Sequence, residues 1–132
     1  MKLLGIDYGR KKTGLAVGDT DSKFAEPLIV IKSENKRELI KKISQYAKVE
    51  RVGKIVLGIS EGKMAEETKK FGREIRVEIE LPVVYSDETL TTHEAQRLSL
   101  ESGVKRKKRK DMEDAFAAAL MLQNYLESTS FS

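Results

Sequence analysis

Lys2-Leu3-Leu4-Gly5-Ile6-Asp7-Tyr8-Gly9 is the stretch on which the reading of this chain turns. Its apolar run is that of a strand buried on both faces, yet a carboxylate, Asp7, stands at its far end. A carboxylate among apolar neighbours is costly to ionise unless something positive meets it. Two further acidic sites recur in similar settings. Asp87-Glu88 follows Pro82-Val83-Val84-Tyr85, and Asp111 and Asp114 stand at the head of the last helical segment. Carboxylates gathered from distant parts of a chain point to a divalent-metal site.

Outward from the first strand, Gly9-Arg10-Lys11-Lys12 reads as a turn into a second strand, Thr13 to Asp19, where Gly14 and Gly18 permit close backbone approach. A third strand is expected near Leu28 to Lys32, after Pro27, closing an antiparallel meander. The period then changes. Asn35 to Lys48 sets Leu39, Ile40, Ile43, Tyr46 and Ala47 on one helical face. Ile55 to Ile59 is a short apolar strand, and a helix follows from about Met64, with Phe71 and Ile75 inward. The alternation over Ile75 to Ile79 leaves its end open between helix and strand. Val83 to Tyr85 gives a fifth strand. Thr91-Thr92-His93-Glu94 offers a capping box for a helix to about Ser102, and a last helix runs from about Asp111 to Leu126. Helices alternating with strands imply parallel crossovers, hence an α/β mixed sheet of five strands, antiparallel over the first three and parallel thereafter, with helices on both faces.

The chain has 132 residues, which suits one domain spanning 1–132 with a frayed tail from about 128 to 132. It has no cysteine, which excludes disulfides, thiolate metal sites and a cysteine nucleophile. No apolar run is long enough to span a membrane, and Leu3 to Ile6 is too short for a signal-peptide core, so a cytoplasmic protein is expected. The formal charge is +4, and its distribution says more than its size. Lys105-Arg106-Lys107-Lys108-Arg109-Lys110 is an unbroken cationic run directly before Asp111. Such runs are often solvated loops. Beside candidate metal ligands, contact with nucleic-acid phosphates is the stronger reading, and Arg10, Lys11 and Lys12 are candidates for the same role.

In an open α/β sheet, ligands gather at the carboxyl ends of parallel strands, where Asp7 and Asp87-Glu88 would both lie. Asp114 begins a helical stripe continued by Ala118, Met121, Leu122 and Tyr125. A carboxylate on the core-facing side of a helix needs a reason, and a metal is a good one. Oxygen-only sites suit Mg²⁺ or Mn²⁺, which bind phosphate oxygens readily. Two such ions could activate water and stabilise the leaving oxygen in phosphodiester hydrolysis. Taken singly, each residue has an ordinary explanation. Asp7 could cap a turn, Asp87 an Asx turn, Glu88 could face solvent, and Asp111 could be a helix N-cap or first-turn acid. Their coincidence favours the metal. His93, the lone histidine, reads as an exposed first-turn residue.

Four motifs together resemble the YqgF (RuvX) family: Gly5-Ile6-Asp7-Tyr8-Gly9, Thr13-Gly14-Leu15-Ala16-Val17-Gly18-Asp19, Asp87-Glu88-Thr89-Leu90-Thr91-Thr92-x-Glu94-Ala95, and Asp114-x-x-Ala117-Ala118-x-x-x-Leu122-Gln123-x-Tyr125-Leu126. The resemblance covers nearly the whole chain. It implies an RNase H-like fold related to the RuvC resolvases and a bacterial cytoplasmic nuclease, described as a Holliday junction resolvase and as a nuclease maturing the 5′ end of pre-16S rRNA. By position, it implies that Asp7, Glu88 and Asp114 are the catalytic, metal-binding triad; Asp111 has no equally regular counterpart and stands as a spare candidate ligand. The chain departs from the family after Val56-Leu57-Gly58, where Ile59-Ser60-Glu61-Gly62-Lys63 replaces a Leu-Pro step and a longer loop, and Glu61 becomes a possible acidic contributor.

The expected activity is metal-dependent endonucleolytic cleavage of structured RNA, with junction DNA as the alternative substrate and the oligomeric state, monomer or weak dimer, left open. A non-catalytic rRNA-binding factor is a second class. An actin-like nucleotide-binding domain is a third, since Gly5-Ile6-Asp7-Tyr8-Gly9 also resembles that superfamily's phosphate loop, but those proteins pair two related domains and this chain has room for one.

Overall fold

The computed structural model describes residues 1–59, 63–87 and 111–128, the side chains of Lys63 and Asp87 excepted. Five strands form one sheet, β1 (Lys2–Asp7), β2 (Lys12–Asp19), β3 (Phe24–Lys32), β4 (Lys54–Ile59) and β5 (Val83–Asp87), in the order β3-β2-β1-β4-β5. The β1–β2 and β2–β3 ladders are antiparallel, and β1–β4 and β4–β5 are parallel. Three helices complete the described chain: α1 (Lys36–Val49), α2 (Lys63–Ile79) and α3 (Glu113–Ser128).

Strand alternation divides the core into two layers. Leu4, Ile6, Leu15, Val17, Ile55 and Leu57 pack beneath Leu39, Ile43, Phe71 and Ile75 of α1 and α2. Leu3, Ala16 and Val56 face Ala118, Met121, Leu122 and Leu126 of α3. The five-stranded mixed α/β sheet with helices on both faces is the architecture expected from the sequence.

Element ends differ from expectation in ways that packing explains. Strand β3 begins at Phe24 rather than Leu28 and passes through Pro27. Leu15 pairs with Ile29 and Ala16 with Pro27, so Leu28 has no partner and the strand bulges there. Proline lacks an amide donor, and an edge strand with a bulge is where a sheet tolerates it. Helix α2 continues to Ile79, so the Ile75–Ile79 alternation is helical. Ile75 is fully buried under the sheet while Val77 is 74% exposed, as a 3.6-residue period requires. Helix α1 starts where the Asn35 side chain accepts the Glu38 amide at 3.0 Å. The expected helix over 91–102, with its capping box and His93, lies outside the described residues, as do Glu61, Glu88 and the cationic run 105–110.

Candidate nuclease centre

Strands β1, β4 and β5 run in one direction, so their carboxyl ends share one rim. Asp7 ends β1 and Asp87 ends β5 at that rim. Ile6, Leu57 and Tyr85 lie level across the sheet, which sets Asp7 two strands from Ser86, about 10 Å away at ordinary strand spacing. Asp87 is the last described residue of β5, and Glu88 follows it in the sequence.

Alternation along β1 assigns Asp7 to a face. Leu3 packs in the α3 layer, and a side chain at Gly5 would meet Leu122 Cβ at 3.1 Å, so the odd-numbered positions look towards α3. Tyr8, on the other face, stacks on Phe71 of α2 with ring centroids 4.0 Å apart and planes within 13°. Asp7 is therefore on the face that α3 covers, partly buried.

The first turn of α3 brings Asp114 to the same place. Asp7 pairs across the ladder with Gly14. A side chain at Gly14 would collide with the carbonyl of Asp114 and come within 2.6 Å of the Ala115 nitrogen. Only glycine admits so close an approach of helix to strand, so the main chain of Asp114 rests on the ladder partner of Asp7. The rest of α3 is held by similar means. A side chain at Gly18 would come within 3.0 Å of both Leu122 and Leu126. Gln123, part of the last sequence motif, accepts the Ala25 amide and donates to the Lys23 carbonyl, both at 2.8 Å, and so ties α3 to the start of β3.

Burial pushes the Asp114 carboxyl above its ordinary value, the positive charge of Lys12 partly opposes this, and Glu113 adds to it. Such a group accepts a cation more readily than it tolerates its own charge. Asp7 and Asp114 offer oxygen donors only, the set that Mg²⁺ and Mn²⁺ take, so the two residues fit the divalent metal expected here. Among the described residues no three metal-ligating side chains cluster, and Glu88 lies outside that set. Asp111, the spare candidate, is exposed three residues before Asp114.

The turn after β1 holds a contact that the sequence pattern did not announce. Arg10 grips Glu67 of α2 through two hydrogen bonds, Nε to Oε2 at 3.1 Å and Nη2 to Oε1 at 2.8 Å. This pairing lowers the Glu67 carboxyl below its ordinary range and raises the Arg10 guanidinium. No short-range spacing marks a pair 57 positions apart. Arg10 is thus paired with α2 while remaining exposed, and Lys11 and Lys12 stand exposed at the same turn.

The sheet order and the helices on its two faces make this an RNase H-like fold. The family model for RuvX, described as Holliday junction resolvase, matches residues 1–128, and the chain belongs to that family. A protein of Caldanaerobacter subterraneus named "Putative pre-16S rRNA nuclease" is 37% identical over 135 residues, covering 97% of this chain and 97% of its own length. One of the same name from Syntrophus aciditrophicus is 35% identical over 136 residues, covering 98% of this chain and 91% of its own. Among solved structures, Thermus thermophilus RuvC in complex with a Holliday junction superposes with a TM-score of 0.63 at 18% identity, over 97% of this chain and 94% of that one, and shares the fold.

Proposed function

We propose that this protein is a divalent-metal-dependent endonuclease that cuts structured RNA, acting in maturation of the 5′ end of pre-16S rRNA in the cytoplasm. The observation that carries the reading is the seat of Asp114 on Gly14, the ladder partner of Asp7, which draws two carboxylates from opposite ends of the chain to one rim. In this reading Asp7, Glu88 and Asp114 hold Mg²⁺, with Asp111 in reserve. Bound metal would supply Lewis-acid stabilisation of the oxygens between which the phosphoryl group passes. The chain's own residues do the rest. The sheet fixes Asp7, α3 fixes Asp114, and Lys11 and Lys12 hold backbone phosphates at the rim, with Lys105 to Lys110 extending the grip. Arg10 anchors the turn that carries these lysines to α2. The choice of RNA is supported by the names of the relatives, and the family description keeps four-way DNA junctions as the second substrate.

Cleavage of a precursor 16S fragment and of a four-way DNA junction, with Mg²⁺ and with chelator, tests both. Asp7→Asn should lower cleavage by about 10²–10³-fold, the scale of losing one group that stabilises developing charge. Equal activity of variant and wild type would reject the assigned centre. Cleavage of the junction alone would move the substrate to DNA. Undiminished RNA binding with no metal-dependent cleavage of either would leave a binding factor.

A further inference from the structure

On the sheet face opposite Asp7 and Asp114, α1 and α2 lie side by side and leave an open groove of about 1070 Å³ between them. Arg37, Lys41 and Lys48 line one lip, and Lys70 and Arg73 the other. Each set falls at helical spacings that share a face. All five are exposed, and none makes an ion pair with another described residue. Lys36, at one end, is engaged by Glu74 at 3.7 Å. One further carboxylate, Glu78, lines the groove, so cations dominate it. Ile40 forms part of the floor, and Val77 is left 74% exposed.

Six cations and two carboxylates line this concavity, and five of the cations make no ion pair with a described residue, so a polyanion meets a net positive surface there. We infer that this groove is a second nucleic-acid contact, an exosite that holds the phosphate backbone of a duplex stem flanking the cleavage site. The lining contains no aromatic ring on which an unstacked base could lie. It therefore suits a strand whose bases are already stacked and whose phosphates face outward. The groove is also connected to the rim. Strand β3 runs parallel to β1, so α1 leaves the sheet at the edge where β1 ends, and α2 leaves β4 at that edge too. A stem seated at the rim can follow the groove along both helices, and α1 alone extends about 21 Å. That the stem is RNA rests on the function proposed above.

The test uses two RNAs with the same cleavage region, one with the flanking stem and one without. Binding is measured over a range of salt with Asp7→Asn protein, alone and with Arg37→Ala, Lys41→Ala, Lys70→Ala and Arg73→Ala combined. The combined variant should bind the stem RNA more weakly, and its log–log salt slope should fall with each phosphate it no longer neutralises, a step that is about 0.9 on duplex DNA. The stemless RNA should be unaffected. Arg37→Lys with Arg73→Lys should keep the full slope, because charge rather than fork geometry is needed. An unchanged slope, or an equal loss on both RNAs, would overturn the exosite. Loss of binding to a poly-glutamate peptide with the RNA slope intact would overturn it in favour of an acidic protein partner. Because binding is read in a protein disabled at Asp7, failure of the wild type to cleave any RNA leaves the groove result standing. Cleavage with an unchanged slope removes the groove and leaves the nuclease.

Discussion

Asp114 is a carboxylate held where its charge is unwelcome. Burial raises its pKa above 3.8, and Lys12 offsets this only in part. The sign of the consequence follows from proton linkage. Where the folded state binds the proton more tightly than the unfolded chain, stability falls as pH rises from the unfolded pKa through the folded one. The metal-free protein therefore carries the whole penalty at neutral pH. Asp114→Asn should raise the Tm of the protein in chelator at pH 7, and the gain should vanish below the unfolded value of 3.8, followed by thermal melts across pH. Mg²⁺ should stabilise the wild type and not the variant. A lower Tm for Asp114→Asn at pH 7 would mean that the carboxylate is held by protein contacts alone. The sequence offered half of this. The stripe from Asp114 to Tyr125 marked a carboxylate on a buried face, but Lys12, whose charge partly offsets its burial, lies about a hundred positions away and no periodicity connects them.

At the scale of elements, the proposed centre depends on the junction of β2 with α3. Gly14 lets the first turn of α3 touch the strand. Gly14→Ala should push α3 away from β2, at a cost of about 1–3 kcal/mol in denaturant titration. Cleavage should fall further than stability accounts for, because Asp114 is displaced from Asp7. Full activity at saturating Mg²⁺ in folded Gly14→Ala would separate the two carboxylates functionally. Close approach at Gly14 and Gly18 was readable from glycines set in an apolar strand. The length of β3 was not. Pro27 reads as a strand boundary, and only the bulge opposite Leu15 and Ala16 at a sheet edge lets the strand continue through it. The end of α2 was ambiguous because Ile75 to Ile79 fits a period of two as well as one of 3.6, and burial of Ile75 beneath the sheet settles it as helix.

For the whole molecule, the sheet separates two faces, α3 with Asp7 and Asp114 on one and the α1–α2 groove on the other. Among the described residues no helix is long and apolar enough to cross a membrane. The cationic run 105–110, proposed above as a phosphate contact, belongs to this scale, since its worth lies in the summed charge of consecutive residues. Lys107→Ala with Lys108→Ala should weaken nucleic-acid binding. On duplex DNA the log–log salt slope should drop by about 0.9 for each phosphate released from a lysine, and by less on single strands. An unchanged slope would direct the run away from the substrate. By itself the sequence determined the strand and helix order of the described residues, the two-faced mixed sheet, the candidate acids and the family resemblance, because burial period and turn chemistry are local and are written in consecutive residues. Only the tertiary structure decided that Asp114 seats on the ladder partner of Asp7, that Arg10 pairs with Glu67, and that the cations of two helices face one groove. Each of these joins residues far apart along the chain, and their meeting is fixed by register, crossover and helix packing rather than by any pattern within a segment.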